Sequence, residues 1–231
     1  LMRDNQNFYV GIRCFDSDPS AIIARAMTRD GAISSDDNVS IVLDPKRDSR
    51  SGYLFSMNAL GARYDARIVN GRSDGDWDAS WYGRSSIDEK GWTAEFVIPF
   101  RTLSIDPSST TWGMNVERVI RRNNERVRLA TADRDVRFTS MADAAVVGMF
   151  GDIDQGAGID VRPFAKITVT DDTDDTDTLG SAGMDIFWKP TPSLTYVGTV
   201  NTDFAETEVD QRIINFSRFS IRFPEKRDFF L

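Results

Sequence analysis

The sequence predicts an all-β protein. It reads as an antiparallel β-sandwich over residues 1–150, followed by antiparallel hairpins of a different domain over residues 158–231. Three observations lead there. Short runs of alternating apolar and polar residues recur at roughly ten-residue spacing in the first part, with almost no helical periodicity. Aspartate, proline, glycine and asparagine punctuate them as turn residues. Past Asp152–Gly158, which holds two glycines and two aspartates, the pattern changes to strands around an acidic loop.

Taken in order, Phe8 to Phe15 alternates and stops at the turn Asp16-Ser17-Asp18-Pro19. Ala21 to Met27 is a short helical candidate before a loop at Arg29-Asp30-Gly31. Val39 to Asp44 is a strand that Pro45 ends, because proline cannot donate to a ladder. Tyr53 to Asn58 and Arg63 to Val69 flank Ala59-Leu60-Gly61-Ala62, a hairpin. In Trp92 to Phe100 the period of two puts Trp92, Ala94, Phe96 and Ile98 on one face. Trp112 to Arg122 is a further strand, and a short helix is expected around Met141 to Val147. In the second domain Arg162 to Thr170 and Ala182 to Lys189 flank a loop at Asp171–Asp177. Ser193 to Asn201 follows a tight turn at Pro190-Thr191-Pro192.

Composition removes whole classes of function. The chain is globular in its balance, with 40% hydrophobic and 28% charged residues. There is no histidine, so the usual general base and the commonest zinc ligand are missing together. Cys14 is the single cysteine; no intrachain disulfide can form, and its place in an alternating run predicts a buried, inert thiol. Residues 1–150 carry 20 basic and 21 acidic side chains, residues 151–231 carry 8 and 15, and the net charge is -8. That sign argues against nucleic acid as a partner. No apolar run reaches the roughly 20 residues of a spanning helix, but membrane strands need only about 10 alternating residues.

Ser34-Ser35-Asp36-Asp37-Asn38-Val39-Ser40-Ile41-Val42-Leu43-Asp44 resembles the D-D-x-V-x-I-x-L-D core of carbohydrate-binding family 9-like domains. The resemblance continues through Trp77, Trp81, Gly91 to Phe100 and Trp112 to Arg118, and so covers most of residues 8–130. Asn201-Thr202-Asp203-Phe204, Asn215 to Phe219 and Phe223-Pro224-Glu225-Lys226-Arg227 resemble the region that follows such a domain in certain bacterial envelope proteins. In that family the following region is uncharacterised and looks like an outer-membrane β-barrel. The resemblance implies a bacterial envelope protein, in the outer membrane or periplasm, anchored through the barrel. The apolar end at Leu231 and the start at Leu1-Met2-Arg3 look like cuts, so the second domain is expected to be an incomplete barrel.

Sugar recognition needs flat aromatic faces for the C–H side of a pyranose and fixed polar groups for its hydroxyls. Trp77 and Trp81, four apart in what would be one strand, would share a face about 13 Å apart. Asn58, Arg63, Glu95, Asn115 and Arg118 are the polar candidates. The competing reading puts the tryptophans in the core and pairs Glu95 with Arg118. Asp36 and Asp37, with Asp44 and Asp48 nearby, are candidate calcium ligands, since that ion takes several hard oxygens. The five carboxylates of Asp171–Asp177 are a weaker candidate. No nucleophile elbow, phosphate loop or H-E-x-x-H is present. The expected function is therefore a non-catalytic envelope protein whose sandwich binds a carbohydrate or related ligand. One alternative is a structural domain acting as plug or lid of an outer-membrane barrel; a weaker one is a glycan-active hydrolase.

The last expectation concerns the second domain. Leu194, Tyr196, Gly198 and Val200 share one strand face, and Met184, Ile186 and Trp188 share another opposite Asp185, Phe187 and Lys189. A barrel wall shows this pattern, and so does a soluble sheet with one face on a core. An incomplete barrel would leave an open edge. Phe229 and Phe230 are then expected to lack a core within this chain, and Glu225, Lys226 and Arg227 to form a local corner beside Phe223.

Overall fold

The computed structural model describes residues 1–201 apart from 107, 132, 149, 156–158, 173–174 and 192–193. The expectations for Phe223 to Phe230 lie outside the described residues. The chain divides into two compact units, Leu1–Gly156 and Ala157–Leu231.

The first unit is built from eleven strands: β1 (Met2–Arg3), β2 (Asn7–Phe15), β3 (Asn38–Asp44), β4 (Ser51–Asn58), β5 (Arg63–Val69), β6 (Arg72–Asp74), β7 (Tyr82–Asp88), β8 (Gly91–Pro99), β9 (Thr111–Ile120), β10 (Glu125–Arg128) and β11 (Ala145–Gly148). They form a four-stranded sheet ordered β1-β2-β8-β7 and a seven-stranded sheet ordered β10-β9-β3-β4-β5-β6, with β11 also on β9. Every pairing is antiparallel. The all-β antiparallel sandwich is the architecture expected.

The core between the sheets follows from the alternation. In β8, Trp92, Ala94, Phe96 and Ile98 are all buried, and their partners on β2 are Cys14, Ile12, Val10 and Phe8. From the facing sheet come Ile41 of β3, Phe55 and Met57 of β4, and Trp112 and Met114 of β9. Trp112 lies flat on Phe150, with ring centroids 3.8 Å apart and planes 3° apart. Each large apolar side chain sealed this way contributes about 1.5–3 kcal/mol. Burial also pushes the Cys14 thiol up to about 11, which leaves it protonated and inert.

β3 is buried along its whole length, on both faces. Its other side meets a second cluster of Val42, Leu54, Ala66, Ile68 and Met141, with Phe138 packed against it. Gly91 sits at the β7–β8 turn with φ +128°; a Cβ there would stand 2.1 Å from the Cys14 carbonyl oxygen. Only glycine suits both demands.

Three local expectations are corrected. Ala21 to Met27 holds no α-helix: a 3-10 turn covers Pro19–Ala21, and the strap after it runs irregularly. The cause is capture of its backbone. Asp37 accepts from Ile23 N (2.7 Å), Asp36 accepts from Arg25 N and Ala26 N (3.1 and 3.0 Å), and Asp37 N donates to Ile23 O (2.6 Å). Those bonds replace the i→i−4 ladder a helix needs. Met141 to Val147 is a 3-10 turn at Met141–Asp143 that opens into β11, whose Ala145 and Val147 pair with Met114 and Trp112. Trp77 to Trp81 is not a strand; the segment between β6 and β7 is irregular.

The second unit is a meander of β12 (Ile159–Asp172), β13 (Asp175–Thr191) and β14 (Leu194–Val200). β12 and β13 are longer than expected and β14 is slightly shorter, and much of Asp171–Asp177 is ladder: Asp171 pairs with Thr176 and Asp172 with Asp175. Among the described residues β12 and β14 are the edges of this sheet. One face of it is open and mostly apolar, while the other is half-buried and mixes polar residues with Phe164, Phe187 and Val197. Ile159, Val161, Ile167, Met184, Trp188, Tyr196 and Val200 are exposed, and Trp188 stacks on Tyr196 at 5.4 Å. On the other face Arg162, Asp185 and Thr199 form one cross-strand row and are half-buried. There Thr199 Oγ1 donates to Asp185 Oδ1 (2.9 Å), and Arg162 lies over the Phe187 ring at 4.6 Å. No helix among the described residues is long and apolar enough to cross a membrane, which says nothing about strands.

A candidate ligand cleft beside strand β7

β7 is an edge strand, and its period of two sends Tyr82, Arg84 and Ser86 outward while Gly83 and Ser85 turn in. Register sets Tyr82 beside Val97 and Arg84 beside Glu95 of β8. The β4–β5 turn closes over this edge, where Ser85 Oγ donates to the Ala59 carbonyl (2.9 Å). Gly61, at φ +86°, makes that turn possible and brings Arg63 to the same place. The result is a cleft of about 370 Å³ lined by Gly61, Arg63, Tyr82, Gly83, Arg84, Glu95 and Val97. That volume lies within the range of small-molecule sites.

The floor is rigid. Trp81, 2% exposed, stacks on Phe96 at 5.5 Å and donates its indole N–H to Asp65 Oδ1 (3.0 Å). Arg63 lies over the Trp81 ring at 5.4 Å and donates Nη1 to the Trp81 carbonyl (2.5 Å). Asp65 is buried and accepts from Ala79 N (2.5 Å) and Arg29 Nη2 (2.8 Å) as well. Desolvation raises its carboxyl above the ordinary range; the bonds from Trp81 and Ala79 oppose that shift without cancelling it.

The rim is available. Tyr82 is 62% exposed, and the side chains of Arg84 and Glu95 are exposed and make no hydrogen bond or ion pair among the described residues. A phenol face, two guanidinium groups and one carboxylate can hold a polyhydroxylated ring by its C–H face and hydroxyl edge. Glycoside hydrolysis needs two carboxylates about 5–9 Å apart, and the lining supplies one.

Of the residues expected from sequence to bind ligand, Arg63 and Glu95 come together here. The others do not line it. Trp81 presents no ring face to solvent. Trp77 is half-buried against Tyr53 (4.9 Å) and Phe55 (6.1 Å). Asn58 is buried: Nδ2 donates to Asp36 Oδ2 and Ala26 O (2.8 Å each), and Oδ1 accepts from Leu60 N and Ala62 N. Asn115 clamps Ala130 through both its amide atoms (2.9 Å each). Arg118 donates to Phe15 O (2.7 Å) and Asp16 (3.3 Å), so the expected Glu95–Arg118 pair is replaced by Asp16 held between Arg118 and Arg122.

Asp36 and Asp37 are strap anchors. Both Asp37 oxygens take backbone N–H groups, from Ile23 and Arg121 (2.7 Å each). Burial alone would raise the Asp36 carboxyl, but bonds from Asn58, Ala26 and Arg25 outweigh it and hold it below its ordinary value. Among the described residues no group of three or more histidine, cysteine, aspartate or glutamate side chains is placed to hold a metal ion. Tyr82, Arg84 and Gly61 were not anticipated. The signal available was Tyr82-Gly83-Arg84-Ser85-Ser86, an alternating run whose outward phase is all polar or phenolic.

Comparison with known proteins gives two findings. Residues 159–231 match a domain of unknown function, DUF5916. Solved structures similar to the chain include a family 9 carbohydrate-binding module of Caldicellulosiruptor kristjanssonii in complex with cellotriose, at 17% identity and TM-score 0.47, covering 65% of this chain and 72% of that one. The same kind of module with glucose matches at 17% and 0.47, over 65% and 74%. A candidate carbohydrate-binding protein of Bacteroides uniformis matches at 16% and 0.46, over 62% and 71%. No curated protein matches the sequence.

Proposed function

We propose that the first unit is a non-catalytic carbohydrate-binding domain and that the β7 cleft is its site. The observation that carries this is the combination in one open cleft of Tyr82, Arg63, Arg84 and Glu95 over a floor fixed by buried Trp81. Rigid support beneath adaptable polar groups is what a binding site requires, because ordering costs are met before the ligand arrives. The sequence resemblance to family 9-like domains points the same way. The test is a glycan array probed with the whole chain. Binding to at least one glycan that Tyr82→Ala abolishes supports the site; no binding to any glycan leaves the plug-or-lid role ahead. That second role is favoured by Trp81, which a platform of the expected kind would expose.

For the second unit we propose an outer-membrane setting in a bacterial envelope. Support comes from the exposed apolar row. Eight residues separate Ile159 from Ile167, about 27 Å of strand, comparable with the roughly 25 Å apolar band of membrane barrels. Trp188 and Tyr196 stand in register with Ile159 at one end, where an interfacial aromatic girdle belongs. Trp188 is the single tryptophan after residue 112. In vesicles of brominated lipid, its fluorescence is expected to be quenched, and Trp188→Phe to lose that quenched component; emission indifferent to bromination contradicts the setting.

A further inference from the structure

The cleft holds one charge more than a neutral sugar needs. Arg63 and Arg84 bring two guanidinium groups and Glu95 one carboxylate, in a chain whose net charge is -8. A local positive excess on an acidic protein focuses anions. Arg84 and Glu95 are direct cross-strand neighbours, yet no ion pair joins them, so Arg84 keeps its donors for something else. Arg63 spends Nη1 on the Trp81 carbonyl and is held over that ring, which leaves Nη2 and Nε without a hydrogen bond among the described residues, on a side chain that lines the cleft. Planar guanidinium groups match a carboxylate in a bidentate fork.

Resting on the assignment of this cleft as a sugar site, we infer that its ligand is an acidic glycan: a uronic acid residue whose carboxylate lies between Arg63 and Arg84. Glu95 then accepts from ring hydroxyls at the end away from the carboxylate, since two carboxylates side by side repel. Tyr82 covers the C–H face. Recognition of the carboxylate is electrostatic at an open site, so it weakens with added salt, whereas stacking on Tyr82 does not.

The experiment is calorimetric titration of the whole chain with uronic acid oligosaccharides of several backbones, each beside its methyl-esterified counterpart. These share every ring and hydroxyl and differ in charge. The expected result is an acid form bound at least tenfold tighter than its ester at low salt, with Arg84→Gln bringing the two together. The Arg84 side chain is exposed and bonds to nothing among the described residues, so this variant is expected to unfold at the wild-type temperature. Acid and ester bound alike, both weakened by Tyr82→Ala, would overturn the inference and leave the sugar site standing. Binding of neither form, with no neutral glycan bound on the array, would overturn both.

Discussion

Strands β8 and β13 carry the same alternation and meet opposite surroundings. In β8 the apolar row Trp92, Ala94, Phe96 and Ile98 is at most 1% exposed, because β3, β4 and β9 lie across it. In β13 the apolar row is the more open one, with Met184 at 38%, Trp188 at 46% and Ile186 half-buried between them, and the side bearing Asp185 is half-buried. A period of two decides which side chains share a face and leaves undecided what that face will meet. The same contrast recurs between adjacent residues: Trp81 is core and Tyr82 is rim, because the irregular segment ends at one and the edge strand begins at the other.

The largest effect that could break this contrast comes from the neighbours themselves. Trp81→Ala is expected to cost about 3–5 kcal/mol in urea unfolding, through lost burial and the loss of one of the bonds to buried Asp65, and Tyr82→Ala less than about 0.5 kcal/mol. Equal costs would mean that the core and rim assignments are wrong. Next, Met184→Lys, in register with Pro163 midway along the open row, is expected to weaken insertion into lipid vesicles by about 2–4 kcal/mol, while leaving the unfolding of the sandwich unit where it was. Asn58→Ala removes a donor from buried Asp36 and is expected to cost about 1–3 kcal/mol, with faster amide exchange over residues 22–27.

The smallest effect concerns pH. The bond from Arg122, with Arg118 beside it, holds the Asp16 carboxyl below its ordinary value. A depressed folded value means that the stability it contributes is fully present above the unfolded value of about 4 and is lost as pH falls through the folded one. Asp16→Asn is therefore expected to be less stable than wild type at pH 7, with the gap closing as both are taken toward pH 2. A gap that stays constant over that range would remove Asp16 from the acid limb.

Much of the sandwich was legible. β2, β3, the β4–β5 hairpin, β8 and β9 each pair a clean period of two with turn chemistry at their ends, and local rules suffice for such segments. The site was legible in part. Residue type points to Arg63 and Glu95, but a strand spacing does not apply to Trp77 and Trp81, whose segment is not a strand. What holds Trp81 inward is Asp65, sixteen residues away, and no periodicity announces such a bond. Two adjacent carboxylates, Asp36 and Asp37, suggest a set of hard oxygen ligands. Their actual partners are backbone N–H groups ten to fourteen residues back and Arg121 N, eighty-four residues on. That same capture removed the helix expected over Ala21 to Met27. Tyr82 and Arg84 line a cleft because a distant turn closes beside them, which is a fact of tertiary structure.

The most direct test of the account is to locate a bound glycan on the whole chain by amide chemical-shift mapping, using the tightest binder the array yields. The account predicts shifts concentrated at Gly61, Arg63, Tyr82, Arg84 and Glu95, with Asp36, Asn115 and Arg118 unmoved. Shifts centred on Trp77, Asn115 or Arg118, with Tyr82 and Arg84 silent, would contradict it.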